Sequence, residues 1–364
     1  MKKSVLVVFA ILFCLRVATH AAVPNEVNDP LRPQQGYLDE IGVPKLWNSG
    51  IIGSSRPDLT FVVLDNGTSL HPDLLHNMDT ARSVSFVENR DPFSDRGNHG
   101  TKVAGVACGV GNNAMGITGV AQRCNILVMK VGEVVEYPDG RKENTVSEGA
   151  VMTAFYSLLT NVPGVLVVNA SIIADGLVDS TGMGVLGRVI EAGKDRMIVF
   201  AAAGNDTQPG SNYSYRVRYP CGLAKMLPNV VCVTSFGRNH DFEWYANHDP
   251  IITTVAAPTV LLTTSADGGY GLFGGTSAST PVAAGVGYLW LSGLMDKGVR
   301  VDANVITRIK QAMRDGGRSN PALGIIPELD AWGGWELLRE WFELDAPSPS
   351  PPQFGPRRPP RTRP

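Results

Sequence analysis

Phe61-Val62-Val63-Leu64-Asp65-Asn66-Gly67 is an apolar run that ends abruptly at an acid and a turn. Neither side of the run is polar, which is the mark of a strand covered on both faces, as in parallel sheets. The strand reads as Leu59–Leu64, and Ile126–Val131, Val165–Ala170, Met197–Ala203 and Val230–Thr234 repeat the pattern. Between these runs, His99–Cys108, Ser147–Leu159 and Val185–Ala192 read as helices, so strands and helices alternate along the chain. That rhythm predicts an α/β domain built on a mostly parallel sheet. Pro281–Met295 is apolar nearly all round and fits a buried central helix, with Asp302–Arg314 and Pro327–Phe342 closing the outside. An acid at the carboxyl end of such a strand stands at the rim where open α/β sheets bind ligands, which singles out Asp65.

Composition narrows the class. The 364 residues are 43% hydrophobic and 18% charged, enough to build a large core and against wholesale disorder. A formal charge of -2 excludes a generally basic nucleic-acid binder. No run of 18 apolar residues occurs, so no ordinary transmembrane helix is expected once the leader is removed. Residues 1–21 read as a secretory signal: Lys2 and Lys3, the apolar Ser4–Leu15, then Thr19-His20-Ala21 before the cut. A secreted protein is therefore expected, with a folded domain over 22–345. Residues 346–364 hold eight prolines and four arginines and no acid, a composition that builds no core.

Cys14 leaves with the signal, and Cys108, Cys124, Cys221 and Cys232 remain. An even number in a secreted chain favours disulfides, with three connectivities open; Cys108–Cys124 and Cys221–Cys232 is the sequence-local choice. Sequons begin at Asn66, Asn169, Asn205 and Asn212. The first three fall on candidate site segments, leaving Asn212 as the plausible acceptor in a eukaryotic host.

Glycine-rich matches such as Gly182/Gly184/Gly187 lack the strand, helix and distal acid of a dinucleotide fingerprint. Gly275-Thr276-Ser277-Ala278-Ser279 lacks the second glycine of a GxSxG elbow, which counts against an α/β-hydrolase. Three other segments form a set. Asp65 ends its strand, His99 in Asn98-His99-Gly100-Thr101-Lys102-Val103-Ala104-Gly105 opens a helix, and Ser277 in Gly274–Pro281 precedes the apolar helix. At a helix start, backbone N–H groups and the helix dipole favour an oxyanion.

HGTxVAG, GTSxSxP and a strand-borne Asp-x-Gly resemble the signatures of the subtilisin-like serine proteases, the subtilases. The resemblance runs from about Asn28 to about Trp341. It implies a three-layer fold with a mostly parallel central sheet flanked by helices, and a secreted, monomeric serine endopeptidase. By the same resemblance Asp65, His99 and Ser277 form the triad, and Asn205 in Ala202-Ala203-Gly204-Asn205 is the oxyanion donor, with Ala203 and Gly204 beside the substrate. Val168-Asn169-Ala170-Ser171 resembles the strand that pairs with an extended polypeptide substrate, bringing in Asn169 and Ser171. Ile173 and Ala174 replace the glycines usual there, so the primary pocket is expected to be narrowed and specificity restricted. Gly111-Asn112-Asn113-Ala114-Met115-Gly116-Ile117 resembles the family's structural calcium loop. Asn113, the carbonyls of Gly111, Met115 and Ile117, and the carboxylates of Asp29 and Asp73 would then bind Ca²⁺. Asp91 and Asp95 are expected to build a turn rather than a second metal site. Only residues 22–28 separate the cut from Asp29, less than an inhibitory propeptide needs. That gap, with Ile173 and Ala174, motivates an alternative reading: a pseudoprotease that binds peptides without cutting them.

Overall fold

Strand β1 (Leu59–Asp65) buries all of its residues. Phe61 and Val63 enter one apolar core while Val62 and Leu64 enter the other, because successive side chains of a strand point to opposite faces. The computed structural model describes residues 27–177, 183–206 and 218–345; the proposed signal, the Pro/Arg tail and Asn212 lie outside the described residues.

The central sheet adds β2 (Val84–Ser85), β3 (Ile126–Lys130), β6 (Val165–Ala170), β7 (Met197–Ala202), β8 (Val230–Phe236) and β9 (Val255–Pro258). Their order is β2-β3-β1-β6-β7-β8-β9, and every pairing is parallel. On one face pack α1 (Gly36–Glu40), α2 (Val43–Asn48), α3 (Gly100–Cys108), α6 (Thr276–Asp296), α7 (Ala303–Asp315) and α8 (Ala331–Trp341). On the other lie α4 (Glu148–Thr160) and α5 (Gly184–Ala192). This is the expected three-layer α/β architecture. The chain order reverses between β1 and β6, so the crevice beyond the carboxyl ends of these two strands is where such a sheet accepts a ligand.

Helix α6 is the axis of one core. Its interior residues are buried on every side, and their polar atoms are matched. The Tyr288 hydroxyl donates to Ser54 O at 2.6 Å and accepts from Asn125 N–H at 3.1 Å, and Trp290 Nε1 donates to Ala331 O at 2.9 Å. Truncating one such large side chain to alanine costs about 2–5 kcal/mol.

Two expected boundaries move. Helix α6 begins at Thr276 rather than Pro281, so Pro281 lies inside the helix. Helix α8 begins at Ala331 on an Asp330 cap, whose carboxylate accepts from Trp332 N–H and Gly333 N–H. Residues 327–329 are extended instead: Ala256 N–H donates to Pro327 O and Leu329 N–H to Ala256 O, both on β9. Strands β2 and β9 and two hairpins, β4–β5 (Gly132–Glu136 with Lys142–Val146) and β10–β11 (Leu261–Thr264 with Tyr270–Phe273), were not foreseen. The disulfides Cys108–Cys124 and Cys221–Cys232 follow the sequence-local pairing.

Candidate active site

Asp65 closes β1 with a side chain 1% exposed, and Lys130, buried opposite it on β3, donates Nζ to Asn66 O and Ser94 O. The turn after β1 and the loop before α3 are thereby fixed to one buried cation. His99 is the N-cap residue of α3. Its Nδ1 lies 2.8 and 2.9 Å from the two carboxylate oxygens of Asp65. Asp95, expected as a turn residue, has a definite task. Its carboxylate accepts from His99 N–H (3.2 Å), Thr101 N–H (2.8 Å) and the Thr101 hydroxyl (2.6 Å). These are first-turn donors that the helix itself leaves unpaired, and an acid placed there also suits the helix dipole.

Burial alone pulls the imidazole pKa of His99 down. The charge of Asp65, its hydrogen bond and the charge of Asp95 outweigh that, so the net shift is upward from 6.5. Burial raises the carboxyl pKa of Asp95 against the hydrogen bonds from Thr101 and His99, which work to lower it.

Ser277 is the second residue of α6, after Gly275 at φ 86°, a left-handed conformation suited to glycine. The proline four residues on has no N–H, so the Ser277 carbonyl loses its intrahelical donor. Ser171 supplies it instead, donating its hydroxyl to Ser277 O at 3.1 Å, and Asn169 Nδ2 donates to that hydroxyl at 3.0 Å. An interior proline thus ties the nucleophile's helix to the segment after β6. This explains why a helix read as starting at Pro281 starts one turn earlier.

Asn205 follows β7. Its Oδ1 accepts from Thr276 N–H (2.9 Å) and the Thr276 hydroxyl (3.1 Å), which fixes the amide and leaves Nδ2 as the donor facing outward. Thr276 Oγ1 also accepts from Gly204 N–H at 3.2 Å. Asp65, His99, Ser171, Ile173, Gly204, Asn205 and Ser277 line one cavity of about 410 Å³. Asn169 and Ala203, expected at the substrate, lie fully buried behind it. Glu143–Val146 of hairpin β4–β5 form part of its wall, and Asn66 Nδ2 donates to Asn144 Oδ1 at 3.1 Å. The hairpin and Arg218 (also on the wall) escaped the sequence reading, as did the hydrogen-bonding roles of Asp95 and Thr276. Thr101 and Thr276 stand inside the quoted motifs and were the available signal.

The residues expected around calcium converge on the loop closed by Cys108–Cys124. Asp29 is 3% exposed and Asp73 fully buried. Asp29 accepts from Asn112 N–H and Asn113 N–H; Asp73 accepts from Asn113 Nδ2, Ile117 N–H and the Tyr270 hydroxyl. Burial raises both carboxyl pKa values, and the charge of Asp73 adds to the rise at Asp29. Among the described residues, none donates a hydrogen bond to the carbonyls of Gly111, Met115 or Ile117. Asn113 Oδ1 accepts from Met115 N–H at 2.8 Å and keeps a second lone pair. Hard oxygens, two of them anionic and three of them unspent carbonyls, fit a divalent cation in charge and donor type. No group of three or more His, Cys, Asp or Glu side chains gathers among the described residues.

The Subtilase family model matches residues 58–314. Subtilisin NAT of Bacillus subtilis subsp. natto and Subtilisin E of Bacillus subtilis (strain 168) are each 30% identical over 261 residues, 70% of this chain and 60% of theirs. Thermitase of Thermoactinomyces vulgaris is 26% identical over 267 residues, 73% of this chain and 85% of its own. The chain thus spans about 60% of the length of the two subtilisins it matches. With a family match over most of the chain and the motif residues gathered in one crevice, the chain belongs to the subtilase family.

Proposed function

We propose that this chain is a secreted serine endopeptidase that cuts extended polypeptides. The observation that carries the reading is the Asp65–His99 pair, at 2.8 and 2.9 Å, opening on the cavity that Ser277 and Asn205 line. With Nδ1–H held by Asp65, His99 keeps Nε2 free as a base. Ser277 Oγ attacks the peptide carbonyl carbon as its proton passes to Nε2, and the C=O pair moves onto oxygen. Asn205 Nδ2 and the Ser277 N–H stabilise that oxyanion more than the ground-state carbonyl, which lowers the barrier. The C–N bond then breaks as His99 protonates the leaving amine, and water releases the acyl group by the reverse proton path.

Secretion is supported by the leader sequence and by two disulfides, which persist in oxidising compartments. No helix among the described residues is long and apolar enough to cross a membrane. Structural calcium is part of the proposal, held by Asp29, Asp73, Asn113 and the carbonyls of Gly111, Met115 and Ile117. When bound it would supply positive charge between two buried carboxylates and rigidify the loop; it takes no part in the chemistry.

The direct test is mass-spectrometric analysis of an unfolded protein incubated with the purified wild type and with Ser277→Ala. New internal cleavages with the wild type alone support the proposal. Intact substrate under both would overturn it in favour of a binding module.

A further inference from the structure

Beyond Ser277 the cavity runs between two segments that leave the sheet side by side, Ser171–Ala174 after β6 and Ala202–Asn205 at the end of β7. Residues 218–219 bridge them as a floor. Arg218 N–H donates to Ala203 O at 3.0 Å, and Ala174 N–H donates to Tyr219 O at 2.9 Å. From this floor the Arg218 side chain lies across Gly204, a glycine at φ 106° where an added Cβ would meet Arg218 Cγ at 2.7 Å. Its guanidinium donates to Asp175 through Nε and to both oxygens of Asp206 at 2.9 Å. Both acids are fixed in turn. Tyr219 N–H donates to Asp175 Oδ1 at 2.8 Å, and Asn247 Nδ2 donates to Asp206 Oδ2 at 2.8 Å.

One clasp therefore joins the end of the candidate substrate segment to the end of the candidate oxyanion segment. The side chains of Asp175 and Asp206 are 39% and 40% exposed. Ion pairs that open to solvent contribute only about 0–1 kcal/mol, so stability is a poor reason for three charges at this spot. What the clasp does is occupy space and set charge. The arginine stem covers Gly204, and the guanidinium closes the gap between the segments. Ile173 lines the same cavity.

We propose that the Asp175–Arg218–Asp206 clasp is the specificity-determining wall of the side-chain pocket beside Ser277 and limits it to small, uncharged side chains such as Ala and Ser. This inference rests on the endopeptidase reading for its substrate class. A large side chain meets the arginine stem. A basic one meets the guanidinium, and an acidic one meets a guanidinium already paired with two carboxylates. Removing the arginine takes the cation from two carboxylates that Tyr219 N–H and Asn247 Nδ2 still hold in place, which is the recognition chemistry for Lys or Arg.

The test is a peptide library varied at the residue preceding the cleaved bond, offered to the wild type, to Arg218→Ala, and to Arg218→Ala with Asp175→Asn and Asp206→Asn. The wild type is expected to prefer Ala and Ser over Phe and Lys by at least about tenfold, and Arg218→Ala to prefer Lys and Arg by a similar factor. The triple variant should lose the basic preference and accept Phe. Should Arg218→Ala fail to fold, Arg218→Met keeps the stem without the charge; it is expected still to reject Phe while gaining Lys. Titration of the same peptides into Ser277→Ala, with and without Arg218→Ala, reads the preference as binding without turnover. A preference seen in binding without any cleavage would overturn the endopeptidase reading and leave the clasp standing. A wild type that takes Phe or Lys as readily as Ala, or a profile unmoved by either Arg218 variant, would overturn the clasp.

Discussion

Asp65, at the end of strand β1, and Asp73, in the turn that follows His71, are both buried carboxylates, yet their partners differ in kind. Asp65 faces His99, a titratable base that opens on a cavity. Asp73 has Asp29 for a neighbour and is held only by neutral donors, the Asn113 amide, the Ile117 N–H and the Tyr270 hydroxyl. Burial of a carboxylate is costly in either place. At Asp65 the proposed mechanism would offset that cost with the imidazolium that His99 forms. At Asp73 the hydrogen bonds come from neutral groups, which is why calcium is proposed there. A buried acid is thus read by what faces it.

The same change at both positions should have the largest and most different effects. Asp65→Asn is expected to lower kcat by about 10⁴, the size known for the acid of serine protease triads, by holding the wrong imidazole tautomer. Asp73→Asn is expected to act on stability instead: the thermal midpoint falls and no longer responds to calcium. Equal losses of turnover and equal thermal shifts in the two variants would erase the distinction.

Asn205→Ala tests whether the amide anchored by Thr276 serves the oxyanion. Turnover should fall by about 10²–10³, the magnitude measured on subtilisin itself, with KM little changed. A change confined to KM would instead make Asn205 a binding residue.

Chelation sharpens the other half. With free calcium at 100 times its dissociation constant, binding adds about 2.7 kcal/mol to stability, so a chelator should lower the thermal midpoint by several degrees. An unmoved midpoint would remove calcium from the loop.

The smallest effect concerns His99. The base must be neutral to act, so activity is lost as pH falls through its pKa in the folded protein. That pKa is raised, which places the acid limb above the ordinary histidine value of about 6.5. Because the charge of Asp95 contributes to the rise, Asp95→Asn should move the limb of kcat/KM to lower pH. A limb that stays in place would limit Asp95 to capping α3.

Much of this was legible from the chain alone, and the reason is locality. Phe61–Leu64 reads as a doubly covered strand because its own residues state both faces. His99 and Ser277 stand in short segments that also contain Thr101 and Thr276, which bond Asp95 and Asn205. Arg218 was invisible because its partners lie 43 and 12 residues away and meet it only through the fold. Hairpin β4–β5 was missed because its strands are half exposed and charged, without the apolar run that marks the central sheet. The start of α6 was misread because proline is usual at a first helical position, whereas here a serine from another segment satisfies the carbonyl that Pro281 leaves open.

The most direct measurement is labelling of the purified protein with a fluorophosphonate probe, beside Ser277→Ala and His99→Ala. One adduct is expected, located on Ser277, absent from the first variant and strongly slowed in the second. A folded, calcium-loaded protein that takes no label, or takes it on another residue, would contradict the assignment of Asp65, His99 and Ser277 as a working triad.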